Sequence, residues 1–159
     1  MAKPSLVDPD TLDLTRIVHG KETLRRYLKQ RGRFEMLDAI VHEDAATGLI
    51  VGYQDLLPDA WWAADHIPGR PIFPGVLQLE GAAQLATYHF LTNHPQEPGR
   101  FVGFGGMNET RFRGVVTPPA RLILVAKQIR VRATMFTYAA QGFVDGKLAF
   151  ETEILGVVV

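Results

Sequence analysis

The chain has no cysteine among its 159 residues. That removes disulfides, thiolate metal sites and a cysteine nucleophile. Serine occurs once, at Ser5 near the N-terminus, so a serine nucleophile with a histidine base is nearly excluded as well. No charge of either sign is in excess, because 17 Lys and Arg balance 17 Asp and Glu. Binding nucleic acid needs a basic face and electrostatic attachment to anionic lipid needs a basic cluster, so neither is an expected partner. Long apolar runs are also missing. No stretch approaches the length of a membrane span, and the acids in MAKPSLVDPDTLDLT interrupt any signal-peptide core. The expectation is a cytoplasmic protein whose chemistry rests on carboxylates, histidines, tyrosines, threonines or backbone groups.

The apolar fraction is 47% and the charged fraction 21%, which suits one globular domain over residues 1–159. Residues 1–20 carry Pro4 and Pro9 and read as an irregular, frayed lead-in. Leu24, Tyr27 and Leu28 recur at helical spacing and predict a short helix over Lys21 to Gln30, ended by Gly32. Phe34 to Val41 and Gly48 to Leu56 are strand candidates around a polar turn at residues 42–47. Pro58, Pro68, Pro71 and Pro74, with Gly69 and Gly75, make residues 58–75 stiff and irregular. Residues 76–94 then predict a helix of four to five turns that is apolar on nearly every face, hence buried. Its polar exceptions Glu80, Gln84 and Thr87 fall on one stripe. From Phe101 onward the pattern is β. Strands are expected over residues 121–132, 136–143 and 147–155, the last two joined at Asp145-Gly146. The sum is an α+β domain: a long central helix wrapped by five or six curved antiparallel strands, with leftover helix face covered by a second copy.

The run His66 to Gln84 gathers three chemical features. His66 opens the proline-pinned loop. Gly75 and Val76 begin the buried helix, so their N–H groups have no intrahelical acceptor. Glu80 lies one turn inside on an apolar surface, where an ionised carboxylate is costly unless paired. A proton acceptor, a second proton carrier and free backbone donors together suit proton abstraction next to a carbonyl. Taken singly, each also has a structural reading: a hydrogen-bonded loop histidine, an acid favouring the helix dipole, a turn glycine.

The same run resembles the FabZ-type 3-hydroxyacyl-[acyl carrier protein] dehydratases. Their His-Phe-Pro-Gly-x-Pro-x-x-Pro-Gly-Val-Leu is matched by His66-Ile67-Pro68-Gly69-Arg70-Pro71-Ile72-Phe73-Pro74-Gly75-Val76-Leu77, and their Glu-Ala-x-Ala-Gln by Glu80-Gly81-Ala82-Ala83-Gln84. Phe34 to Val41, Arg111-Phe112-Arg113 and Val144-Asp145-Gly146-Lys147 extend the likeness more loosely. The resemblance implies a hotdog fold and a homodimer with sites between subunits, with a trimer of dimers as a further assembly. It implies an acyl carrier protein as partner and no metal or other cofactor. His66 would take the proton beside the thioester carbonyl. Glu80 of the other subunit would protonate the departing hydroxyl, and the N–H of Gly75 or Val76 would hold the enolate oxygen. Gln84, one turn beyond Glu80, would orient its carboxyl. Apolar surroundings would raise the Glu80 pKa and keep it a neutral acid.

Four places depart from the family pattern. Asp65 replaces a glycine before the histidine, and Ile67 replaces the phenylalanine after it. Leu28-Lys29-Gln30-Arg31 stands for Leu-Pro-His-Arg, and Pro118-Pro119-Ala120 for Pro-Gly-Asp. These bear on substrate and carrier more than on the reaction. Glu80 and Gly69-Arg70-Pro71, where the related dehydratase-isomerases carry Asp and Gly-Asp-Pro, point to dehydration without isomerisation. The alternatives are a thioesterase using Glu80 to activate water, and a non-catalytic acyl-binding protein. Trp61-Trp62 are read as core packing or as lining of an acyl tunnel. Arg111, Arg113, Arg121, Arg130 and Arg132 are read as a docking patch for an acidic carrier or as a solvated sheet face. His19, His42, His89 and His94 have no metal-ligand spacing.

Overall fold

The apolar run after the prolines forms the longest helix, α2 (Gly75–Asn93), as its period and composition predict. In the computed structural model, which describes residues 1–159, seven strands surround it: β1 (His19–Gly20), β2 (Ala39–Asp44), β3 (Leu49–Leu56), β4 (Val102–Phe112), β5 (Ala120–Arg132), β6 (Met135–Val144) and β7 (Lys147–Val158). A short helix, α1 (Lys21–Tyr27), follows β1. Every strand pairing is antiparallel, in the order β1-β2-β3-β5-β6-β7-β4. No helix is long and apolar enough to cross a membrane.

Small residues let α2 sink into the curve of the sheet. A Cβ on Gly81 would lie 3.0 Å from a Leu124 methyl, so β5 all but touches the helix backbone there. Leu85, Ala86 and Phe90 are fully buried against Ile50, Leu124 and Phe136. The same tightness recurs inside the sheet. A Cβ on Gly156 would fall 2.1 Å from the Phe136 ring. That ring has little room to withdraw, since it lies tilted against Phe90 at 4.5 Å and meets Tyr138 edge-on at 5.4 Å. Gly156→Ala is therefore expected to destabilise the fold by about 1–3 kcal/mol. A thermal melt should show this as a drop of roughly 2–12 °C; an unchanged midpoint would mean that the aromatic cluster repacks freely.

The sheet is apolar on its outer face too. Val41, Leu49, Val51, Ile123, Val125 and Phe143 form a second core, against which Leu6, Val7, Leu12 and Leu14 pack. Residues 1–18 are irregular apart from one 3₁₀ turn at Pro9–Thr11, but they are not frayed. Lys3 N–H donates to Glu151 Oε2 at 2.9 Å, Leu6 N–H to Gln141 Oε1 at 2.8 Å, and Gln141 Nε2 to Pro4 O at 3.1 Å. Strands buried on both faces need a second cover, and the N-terminal strap supplies it.

The strand count and two boundaries differ from expectation: the sheet has seven strands rather than five or six, because the lead-in contributes the two-residue β1 on β2. α1 stops at Tyr27, because Leu28 turns extended and drops into the core. Residues 32–34 form a 3₁₀ turn rather than a strand, with Gly32 at φ 62°, and β2 begins only at Ala39. That segment is recruited by a side chain of α2, described below. The hairpin at Asp145-Gly146 is as expected, with both residues at positive φ (49° and 72°).

β4 forms one edge of the sheet. Its register breaks at Phe104/Gly106 and at Asn108/Arg111, and Phe104, Met107 and Phe112 are exposed. An open edge rimmed with exposed aromatic groups is a surface that proteins ordinarily cover.

Candidate functional site

The loop of residues 57–74 is held by its own backbone. Ala63 N–H donates to Ala60 O, His66 N–H to Trp62 O, and Arg70 N–H to Ile67 O, each at 2.9 Å. Trp62 is buried against Phe73, with ring centroids 4.8 Å apart, whereas Trp61 is exposed. Of the two tryptophans, one is therefore core. The His66 ring is exposed and its Nδ1 lies 2.8 Å from Ile72 O. A carbonyl oxygen only accepts, so Nδ1 carries the hydrogen, and in the neutral ring Nε2 keeps a free lone pair. Asp65, the residue that replaces a family glycine, is exposed beside it.

The helix start lies a few residues on. The first N–H groups of α2 with backbone partners belong to Leu77 and Gln78, both donating to Pro74 O. Those of Gly75 and Val76 have no backbone acceptor, as the start of a helix dictates. The Phe112 ring of β4 lies so close that a Cβ on Gly75 would stand 2.7 Å from it. Any larger residue at position 75 would push the half-exposed Phe112 ring aside.

Glu80 is half-buried rather than buried, because it opens onto a cleft whose other wall is β4, β6 and β7 of the same chain. Its Oε1 accepts Gln84 Nε2 at 2.8 Å. Gln84, 2% exposed, also donates to Phe34 O at 2.7 Å and accepts Met36 N–H at 3.1 Å. One amide thus ties the acid to the backbone of residues 34–36 and holds that segment out of β2. Glu80, Gln84 and Thr87 line one small cleft of about 50 Å³, as their spacing predicts. The cleft shares Gln30, Thr87 and residues 102–104 with a groove of about 820 Å³ that runs along α2 past Leu91 to Arg100. His66 is not on the wall of the Glu80 cleft.

Two of the five arginines read as a docking patch or a solvated sheet face have partners within the chain. Arg113 pairs with the buried Glu151, while Arg121 pairs with Asp55 at 2.7 Å and stacks over the Tyr53 ring at 3.8 Å. Both of these charges have an acidic partner within the fold, whereas Arg111, Arg130 and Arg132, exposed like them, form no ion pair. His89 is a core residue with its Nδ1 2.6 Å from the Tyr138 hydroxyl. Burial pushes the His89 pKa down and the Tyr138 pKa up. Next to the candidate site, Gln78 on α2 escaped the sequence reading, and Phe112 was singled out only within the Arg111-Phe112-Arg113 likeness, not for its place at Gly75. The available signal for Gln78 was its setting, a glutamine in a helix that is apolar on nearly every face.

A family model described as the FabA-like domain matches residues 28–153. The proteins named 3-hydroxyacyl-[acyl-carrier-protein] dehydratase FabZ from Desulfotalea psychrophila and Moorella thermoacetica are 31% and 33% identical to this chain. The matches cover 80% and 82% of this chain and 85% and 90% of theirs. Among solved structures, a dehydratase heterocomplex from Xenorhabdus doucetiae superposes with a TM-score of 0.69 at 12% identity, over 84% of this chain and 89% of that one. A variant thioesterase from Pseudomonas aeruginosa superposes with a TM-score of 0.62 at 15% identity, over 92% and 99%. The long helix held in an antiparallel sheet is thus the hotdog fold, and the chain belongs to the FabA-like family, with FabZ dehydratases among its relatives.

Proposed function

We propose that this chain is a hydro-lyase that removes water from 3-hydroxyacyl thioesters carried on acyl carrier protein, giving trans-2-enoyl thioesters for fatty acid or related lipid synthesis in the cytoplasm. The observation that carries this reading is the His66 imidazole, whose Nδ1–H is held by the Ile72 carbonyl so that Nε2 is free to act as a base. In the forward direction Nε2 takes a proton from the carbon beside the thioester carbonyl. The electron pair moves to the carbonyl oxygen, which rests on the N–H groups of Gly75 and Val76. As the pair returns to form the double bond, the C–O bond at the next carbon breaks. The hydroxyl leaves as water with a proton from Glu80. Gln84 fixes that carboxyl through Oε1. His66 is not on the wall of the Glu80 cleft, and the open β4 edge lies beside both the cleft and Gly75. A second copy pairing at β4 would bring its own His66 to this chain's Glu80, so the working form is a homodimer.

The thioesterase reading has one support, the thioesterases that share the fold. An enoyl-thioester hydration assay separates the two. The expected result is loss of enoyl absorbance, faster on the carrier-linked than on the coenzyme A-linked substrate, without release of free thiol. Thiol release without hydration would replace this reading by the thioesterase one.

A further inference from the structure

The direction of the His66 ring depends on the Ile72 carbonyl, and that carbonyl is set by two clamps outside the loop. The peptide between Ile72 and Phe73 donates its N–H to Val116 O at 2.8 Å. In a trans peptide the carbonyl points away from the N–H. The Val116 bond therefore turns the Ile72 oxygen to the opposite side, where His66 Nδ1 meets it at 2.8 Å. The next peptide, between Phe73 and Pro74, has no N–H because proline lacks one. Only its carbonyl can hold it, and that oxygen accepts Gln78 Nε2 at 3.3 Å.

Packing does not explain Gln78. The residue is 3% exposed on α2, and its Oε1 is buried without a hydrogen-bond partner. An unpaired buried acceptor destabilises a fold, whereas an apolar side chain of similar size in its place does not. What the amide contributes is the bond to Phe73 O. Residues 64–71 between Trp62 and Phe73 are exposed and bonded mainly to themselves, so the loop is registered on the core chiefly through those two rings and these two clamped peptides. We infer that Gln78 is a positioning residue for the reaction: by fixing the Phe73–Pro74 peptide it holds the Ile72 carbonyl, and through it the tautomer and direction of His66. This rests on the reading of His66 as the base.

The test is full-length Gln78→Leu beside the parent. Three quantities are measured: the thermal midpoint, kcat and KM for enoyl hydration, and the His66 tautomer from long-range ¹H–¹⁵N couplings without substrate. The thermal midpoint should hold or rise. We expect kcat to fall roughly tenfold with KM within about twofold, because a loosened base is misplaced while the binding groove is untouched. The imidazole should pass from one Nδ1–H form to a mixture of tautomers. Unchanged kcat and an unchanged tautomer would overturn the inference. If circular dichroism shows the leucine variant unfolded, Gln78→Met, which fills irregular space more readily, is put through the same measurements. If the parent itself shows no hydration, the proposed function fails, yet the tautomer comparison still decides whether Gln78 holds the ring.

Discussion

His66→Ala and Glu80→Gln should each lower kcat for enoyl hydration by about 10²–10⁴-fold, the range for loss of a general base or acid. Mixed together under conditions that exchange subunits, the two inactive proteins should recover about a quarter of the parent rate. Random pairing makes half of the dimers mixed. A mixed dimer has one site lacking both groups and one site with both intact. Glu80→Gln is chosen because a glutamine there still accepts from Gln84, so the segment of residues 34–36 that Gln84 holds stays in place. The readout is the hydration rate after exchange, with dimer mass checked by light scattering. No recovery in a sample that remains dimeric would mean that each chain builds its site alone, and the cross-subunit arrangement would be abandoned.

The candidate site was readable because it is local. His66, Gly75 and Glu80 lie on one stiff loop and the first turns of one helix, where proline, the absence of an intrahelical acceptor and helical spacing act over a few residues. The last hairpin was readable for the same reason. What the sequence hid depends on contacts between distant residues. Arg113 and Arg121 resembled free surface charges because their partners Glu151 and Asp55 lie 38 and 66 residues away. Residues 34–38 have the composition of a strand, but the Gln84 amide captures the backbone at Phe34 and Met36 before β2 can begin. The strap over the outer face has no periodicity to betray it. Its apolar groups Leu6, Val7, Leu12 and Leu14 matter only because β2, β3 and β5 present a second apolar face. Glu80 was expected to be buried, but it is half-buried beside an open cleft between α2 and the sheet, which its place on an apolar helix did not reveal.

Arg113→Met is expected to lower the thermal midpoint by roughly 4–12 °C at pH 7, and by much less near pH 4. Glu151 lies mid-strand in β7 and is 3% exposed. Burial by itself would raise its pKa, but the Arg113 guanidinium and the Lys3 backbone N–H outweigh burial and hold the carboxyl below the usual carboxylate range. A depressed folded-state pKa stabilises the fold above the ordinary value of about 4.3, and that stability is lost as pH falls through the folded value. Without Arg113 only Lys3 is left to offset the burial, and burial prevails. The carboxyl is then easier to protonate when folded than when unfolded, so its ionisation near pH 7 works against folding. Breaking a fully buried pair costs about 3–5 kcal/mol. Here the Arg113 side chain is 32% exposed and the Lys3 N–H remains, so about 2–3 kcal/mol is the better figure. As pH approaches 4 the variant's Glu151 takes up a proton and its penalty disappears, while the parent begins to lose its own advantage, so the two melting curves converge. Melts of both proteins between pH 4 and pH 8 read this directly. A gap that stays constant across that range would assign the loss to the packing of the arginine stem, and Glu151 would carry no electrostatic share of the stability.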